Sequence, residues 1–128
     1  AKTAYQNEIV NPVTTNTTDN ATDYSAKVGL MYASDYGFAA APSAWTANLN
    51  TYNGEAIKNV NWMYMGLNEW TISRYADYAY YVSLVHDSGG LSGNNANPAY
   101  GVRPVFYLSS SVNYASGSGS ATDPISIN

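Results

Sequence analysis

Residues 100–108 read Tyr100-Gly-Val-Arg-Pro-Val-Phe-Tyr-Leu108, a run in which one guanidinium interrupts apolar and aromatic side chains. Valine, phenylalanine and tyrosine at this density predict a strand over Val102 to Leu108. Pro104 has no amide hydrogen to give a ladder, so that strand belongs at a sheet edge or a bulge. An inward Arg103 needs a carboxylate or carbonyls against its desolvation. Glu69, in Asn68-Glu69-Trp70-Thr71, and Asp35 are the candidate partners. Glu69, Trp70 and Arg103 are therefore read as structural residues that order the core. The functional alternative for Arg103 is anion binding.

Working outward, Ala26 to Tyr32 alternates Val28, Leu30 and Tyr32 with Gly29 and Met31, which predicts a strand. Asp35-Tyr36-Gly37 reads as a turn. Pro42 to Tyr52 predicts the main helix, with Pro42 at its first position, Trp45, Leu49 and Tyr52 on one face, and Asn53-Gly54 at its end. Asn61 to Leu67 predicts a buried strand, Glu69 to Ser73 a second, and Tyr80 to Val85 a third. Asp87-Ser88-Gly89-Gly90 is a hairpin turn, and Ser92 to Ala99 a loop. Ser116 to Ser120 is a Gly/Ser turn before a closing strand over Pro124 to Ile127. Residues 1–24 are extended and polar, with a turn at Asn11-Pro12 and an aperiodic run from Thr14 to Thr22. No internal repeat is visible. One helix among many short strands gives the α+β class.

Composition excludes several functions. Only 11% of the 128 residues are charged, where about 25% is usual, so solubility rests on Asn, Ser, Thr and Gly. Five scattered cations and a net charge of −4 leave no surface for a phosphate backbone or an anionic membrane. Without cysteine there is no disulfide, zinc thiolate or thiol nucleophile. His86 is the only histidine, so a triad or a histidine metal cluster would rest on it alone. No phosphate-binding loop, EF-hand or dinucleotide fingerprint occurs. No metal or cofactor is expected. A glycosidase would need paired carboxylates, for which Glu69 with Asp77 or Asp87 is the one arrangement to consider.

Residues 75–101 stand apart. They hold Tyr75, Tyr78, Tyr80, Tyr81 and Tyr100 among Asn94, Asn95, Asn97, Ser92 and His86. Tyrosine offers contact area with few torsions to freeze, and small polar residues adapt their hydrogen bonds. The structural alternative is a tyrosine-rich strand pair with a polar loop, since tyrosine favours strands anyway. The segment also lacks Lys, Glu, Gln, Met and Trp, of which the other 101 residues hold 13, all of them before Tyr75. Those are the five residues that no codon ending in a pyrimidine encodes. A segment diversified at the first two bases of Asn-type codons would show this gap.

The runs Lys27-Val-Gly-Leu-Met-Tyr-Ala-Ser-Asp-Tyr-Gly37, Trp62-Met-Tyr-Met-Gly-Leu-Asn-Glu-Trp-Thr-Ile-Ser73, Tyr100 to Leu108, and Ser116-Gly-Ser-Gly-Ser-Ala-Thr-Asp-Pro124 resemble a family of gut-bacterial surface domains. Gly-Val-Arg-Pro after an Asn/Tyr/Ser stretch is the most specific part. That family resembles the formylglycine-generating-enzyme-like branch of the C-type-lectin fold, whose members include the variable proteins of diversity-generating retroelements, some of them pilin-associated. The resemblance implies short twisted antiparallel strands, one or two helices and long irregular loops. It implies an N-terminal arm or end of an upstream region over 1–25, and a ligand-binding domain over 26–128 whose variable segment is about 75–101. Cysteine-based oxidase activity is not implied, nor is calcium-dependent sugar binding, because the residues for both are missing.

The function expected is a non-catalytic display domain, a secreted or bacterial cell-surface receptor or adhesin for a protein or glycan. Its contact residues would be Tyr75, Tyr78, Tyr80, Tyr81, Leu84, His86, Ser92, Asn94, Asn95, Asn97 and Tyr100. Nucleic acid and direct membrane insertion are not expected; attachment to a pilus or surface anchor is compatible. A structural minor-pilin or fibre-tip subunit is the alternative, and a glycan-processing enzyme a remote one.

Overall fold

The computed structural model describes residues 1–10, 25–75, 78, 80–120 and 122–128. The turn at Asn11-Pro12, the run Thr14 to Thr22 and Asp77 lie outside the described residues. Among the described residues the architecture is mixed α+β, with few and short helices and three small sheets.

The central sheet forms around a hairpin. Strand β2 (Glu69–Arg74) pairs antiparallel with β3 (Tyr81–Val85), and β3 pairs antiparallel with β4 (Leu91–Asn95). Between β3 and β4 the expected turn closes at Asp87 to Gly90, where the His86 amide donates to the Gly90 carbonyl at 2.8 Å. The ladder then carries the chain on through Asn95, so half of the expected 92–99 loop is strand. Pairing with β3 overrides the poor strand propensity of Ser, Gly and Asn there.

The fourth strand, β5 (Gly101–Val102), joins β2 in parallel, giving the order β4-β3-β2-β5. This corrects the expectation of antiparallel strands throughout. The chain leaves one edge of the sheet at Asn95 and re-enters at the other at Gly101. Three strand spacings are about 14 Å. Six Cα steps reach about 20 Å at full stretch. Residues 96–100 therefore cross one sheet face nearly directly, with little slack.

The expected strand from Val102 to Leu108 is broken. Gly101–Val102 belongs to the central sheet, and Pro104–Val105 (β6) pairs with Gly29–Leu30 (β1) in a separate two-stranded sheet. Pro104 ends one ladder and begins the other, and Phe106, Tyr107 and Leu108 are exposed outside both. β1 is shorter than the predicted Ala26–Tyr32. The third sheet pairs β7 (Tyr114–Ser116) with β8 (Ser126–Ile127), the closing strand.

Helices differ most from expectation. Pro42 to Tyr52 is not one helix but two 3-10 turns, Pro42–Ala44 and Leu49–Thr51. Asn48 causes the break, because its side chain accepts from the Asn50 amide at 3.0 Å and restarts the chain. The periodicity still has a physical meaning: Leu49 and Tyr52 are core residues, and Trp45 stacks edge-on against Phe38 at 5.1 Å. The predicted turn at Asp35-Tyr36-Gly37 lies inside helix α2 (Ala33–Phe38), where Asp35 accepts from the Tyr32 amide at 2.8 Å. Asn61 to Leu67 is turn, not strand. Asn61 is buried and spends its amide on the Tyr36 carbonyl (2.8 Å) and the Met63 amide (3.0 Å), which bends the chain.

The core holds Met31, Tyr36, Ala39, Ala40, Ala44, Leu49, Tyr52, Met63 and Val85. Two fully buried tyrosines replace the usual aliphatic bulk. Their hydroxyls donate to carbonyls, Tyr36 to Gly89 at 2.7 Å and Tyr52 to Ala44 at 2.7 Å, so no phenol is left unsatisfied. Loss of solvation pushes the Tyr36 phenol up to about 12. Residues 1–10, a short helix α1 (Lys2–Tyr5) and a π-turn (Gln6–Val10), dock on the domain through Glu8. Its carboxylate accepts from the Ser34 amide at 3.1 Å and from the Ser73 hydroxyl.

Candidate functional site

Strand register decides where each expected contact residue lies. The paired row Leu91–Val85–Glu69–Gly101 faces the core. The neighbouring row, Ser92–Leu84–Trp70–Val102, faces the opposite side, because successive side chains alternate. That outer face is where residues 96–100 cross. Tyr100 marks the crossing: its hydroxyl accepts from Asn94 on β4 at 3.0 Å, and its ring lies 4.9 Å from Trp70 on β2. A ring touching β4 and β2 spans β3 between them. This explains why Leu84 is only 2% exposed. Leu84 is a packing residue with no surface to offer a ligand, which corrects its place among the contact residues.

A second group of aromatic rings gathers at the Tyr81 end of the hairpin. Tyr81 is the hub, with ring centroids at 4.9 Å to Tyr78, 5.1 Å to Tyr80 and 5.7 Å to Tyr75. Tyr78 and Tyr80 also meet, at 5.8 Å. Tyr75 lies across the backbone of Gly93, where a Cβ would collide with its ring. Gly93 shares the core-facing side of the sheet with Leu91, so this cluster extends that side beyond the end of the core. Tyr78 is 50% exposed and Tyr80 64%, while Tyr75 and Tyr81 are half-buried beneath them. Asn95, paired with Tyr81, and Asn97 are exposed beside this end.

The expected contact residues therefore separate into three places. Tyr75, Tyr78, Tyr80, Tyr81 and Asn95 share one end of the hairpin. Ser92, Asn94 and Tyr100 lie on the outer face, half-buried in a packed arrangement with Trp70. His86 stands at the other end of β3, five residue steps or about 17 Å from Tyr81. It belongs to the turn. Its Nδ1 lies 2.8 Å from Asp87 and 2.9 Å from the Ser88 hydroxyl, and also accepts from the Ser88 amide at 3.2 Å. A catalytic triad needs serine and carboxylate on opposite ring nitrogens. Here both compete for one nitrogen, and the contact to Asp87 requires a protonated Nδ1 that the amide contact forbids. The two bonds belong to different tautomers of the ring.

Glu69 is engaged as expected. Arg103 Nη2 donates to its two carboxylate oxygens at 3.0 and 2.8 Å and to the Met63 carbonyl at 2.9 Å. Asp35 takes no part in that pair. Arg103 Nε is buried with no partner among the described residues. The Arg103–Glu69 pair is thus the tie between the central sheet, the 61–67 turns and the β5–β6 switch. A buried carboxylate held this way is not available as half of a glycosidase pair. Among the described residues no group of three His, Asp or Glu is placed to hold a metal ion, and no helix is long and apolar enough to cross a membrane.

One feature escaped the sequence reading. An open cleft of about 320 Å³ lies between α2, the 62–63 turn and the segment after β6. Phe38, Trp62, Phe106 and Tyr107 line it, Met63 and Ala39 form its buried floor, and Asp35 stands at its wall. Tyr5 and Trp45 hold Phe38 from behind by edge-to-face contacts at 6.0 and 5.1 Å. The Tyr107 phenol is pushed above its ordinary value, first by loss of solvation and then by the Asp35 carboxylate. The sequence predicts Trp62 in a buried strand and Phe106-Tyr107 in a sheet, and all three are exposed outside any sheet. The available signal was Pro104, which stops the ladder and leaves the aromatic residues after it without a sheet to cover them.

The fold and its surfaces define a small mixed α+β domain with few helices and several short sheets. No protein-family model, curated protein or solved structure matches the chain.

Proposed function

We propose that the chain is a non-catalytic, extracellular ligand-binding domain of the C-type-lectin type, a diversified receptor or adhesin for a protein or glycan, whose contact surface is the tyrosine end of the β3–β4 hairpin. The observation that carries this reading is the ring-to-ring packing of Tyr75, Tyr78, Tyr80 and Tyr81 at 4.9–5.8 Å with its upper two rings in solvent. Rings that already brace one another lose little freedom on binding, so more of their buried area is returned as affinity. The cluster also extends past the end of the core, where side chains can be exchanged without opening a cavity. That is what a diversified face requires.

The test is a quadruple variant, Tyr78→Ala, Tyr80→Ala, Asn95→Ala and Asn97→Ala, compared with the parent on arrays of glycans and of cell-surface proteins. Two tyrosine anchors at about 2 kcal/mol each correspond to roughly a thousandfold in affinity. The parent binds a discrete set of probes, and the variant loses them while its melting temperature stays within about 2 °C, as surface changes should. Equal binding by both proteins, or no probe bound by the parent, rejects the assignment. A near-copy of the 75–101 coding region beside a reverse transcriptase, differing at adenines, would independently identify the diversification.

A further inference from the structure

The aromatic cleft is separate from the tyrosine end and is built from other elements. Trp62, Phe106 and Tyr107 are 77%, 66% and 78% exposed, yet they stand around one concavity with a buried floor. Three large rings left in water around a hollow are unusual for a small domain, whose exposed apolar groups are normally scattered. The volume falls at the small end of the range for ligand sites. Its chemistry narrows the occupant. A neutral sugar needs several hydrogen-bond partners, and an anion would meet the Asp35 carboxylate on a chain of net charge −4. A cation is favoured on both counts, since ring faces and a carboxylate both attract it.

The kind of cation follows from donor counting. A primary ammonium brings three N–H donors and a guanidinium five. Among the described lining residues the charged acceptor is Asp35, and one of its oxygens already accepts from the Tyr32 amide. A quaternary ammonium brings no donor, and its methyl shell packs on ring faces. We infer that the cleft formed by Asp35, Phe38, Trp62, Met63, Phe106 and Tyr107 binds the quaternary ammonium head of a small organic molecule, independently of the tyrosine surface.

The probe is tetramethylammonium chloride, titrated at constant ionic strength into the whole protein. The readout is the indole N–H resonance of Trp62, assigned by its disappearance in Trp62→Leu. Expected is a saturable shift, with neopentyl alcohol, the neutral molecule of the same shape, and n-butylammonium each about tenfold weaker or worse. Asp35→Asn keeps an acceptor for the Tyr32 amide, so α2 stays capped. It should weaken tetramethylammonium at least about fivefold, in keeping with the loss of one charge from an aromatic site. Tyr107→Leu, at a residue mostly in solvent, gives a second reading that does not depend on α2, and should also weaken binding. The inference is overturned by an unsaturated shift, by neopentyl alcohol or n-butylammonium binding as tightly, or by undiminished binding in Tyr107→Leu. Neither result bears on the tyrosine end, which is assayed with different variants.

Discussion

Replacing Arg103 with alanine is the most severe test of how this fold is held. Three acceptors lose their donor at once: both oxygens of Glu69 and the Met63 carbonyl. Glu69 is nearly inaccessible to water, so its charge is left without compensation. Breaking a buried pair from one side costs about 3–5 kcal/mol. For a domain of this size each kcal/mol moves the melting temperature by roughly 3–5 °C, so a fall of about 10–20 °C is expected. The companion is the double variant Glu69→Gln, Arg103→Met, which removes both charges and fills similar volume. It should recover at least about 2 kcal/mol relative to the sum of the single losses. Arg103 Nε has no partner among the described residues, so removing the whole pair also relieves a desolvation cost. Urea unfolding of the parent, Glu69→Gln, Arg103→Met and the double variant gives the cycle. A loss below about 1 kcal/mol in Arg103→Ala, or strict additivity, would show that the tie carries no weight and that the β5–β6 switch is held by something else.

Three further outcomes are expected. Tyr36 holds its proton more tightly when folded, so the stability this confers is complete below pH 10 and is lost as pH rises from 10 to about 12. Tyr36→Phe should flatten that alkaline fall in a urea series, at a cost of about 1 kcal/mol near neutrality from the lost bond to Gly89. Gly117 sits at φ +100 with a Cβ path blocked by the Pro124 carbonyl, so Gly117→Ala should open the β7–β8 pair, measured as faster amide exchange at Asn113 and Asn128 with the central sheet unchanged. Glu8→Ala should free residues 1–10 from Ser34 and Ser73, seen as early proteolytic cleavage there and a loss of about 1–3 kcal/mol.

Patterns of period two were legible where the strands are long enough to show them. Glu69 to Arg74 and Tyr81 to Val85 appear close to their predicted limits, and the turn between His86 and Gly90 is where Asp-Ser-Gly-Gly put it. The Arg103–Glu69 pair was legible because a lone cation in an apolar run must find a carboxylate. What was not legible depends on single side chains that redirect the backbone. Asn48 and Asn61 accept local hydrogen bonds from the Asn50 and Met63 amides, and so break a helix that periodicity favoured and a strand that apolar content favoured. The Ser-Gly-Asn-Asn ladder of β4 is imposed by its neighbour, not by its own residues. At the candidate site, composition marked the tyrosines as a group, and four of them, Tyr75, Tyr78, Tyr80 and Tyr81, do pack together. It could not separate Tyr100, laid over Leu84, from Tyr78 and Tyr80, which are exposed on the tyrosine cluster. It also missed the aromatic cleft, whose walls come from three separated segments.

The β3–β4 hairpin is anchored unequally. At its turn, the Gly89 and Asp87 carbonyls are gripped by the hydroxyls of Tyr36 and Tyr64, each at 2.7 Å. At the other end no buried tyrosine hydroxyl grips the hairpin among the described residues: Val82 pairs with Arg74 of β2, Asn94 donates to the Tyr100 hydroxyl, and the tyrosines rest mainly on one another. The element behaves as a cantilever: its root is clamped in the interior and its tip projects. Loads applied at the tip, whether a new side chain or a docked partner, meet a long lever before they reach the clamp. Such a beam tolerates rebuilding at its free end, and would be expected to fray from that end first.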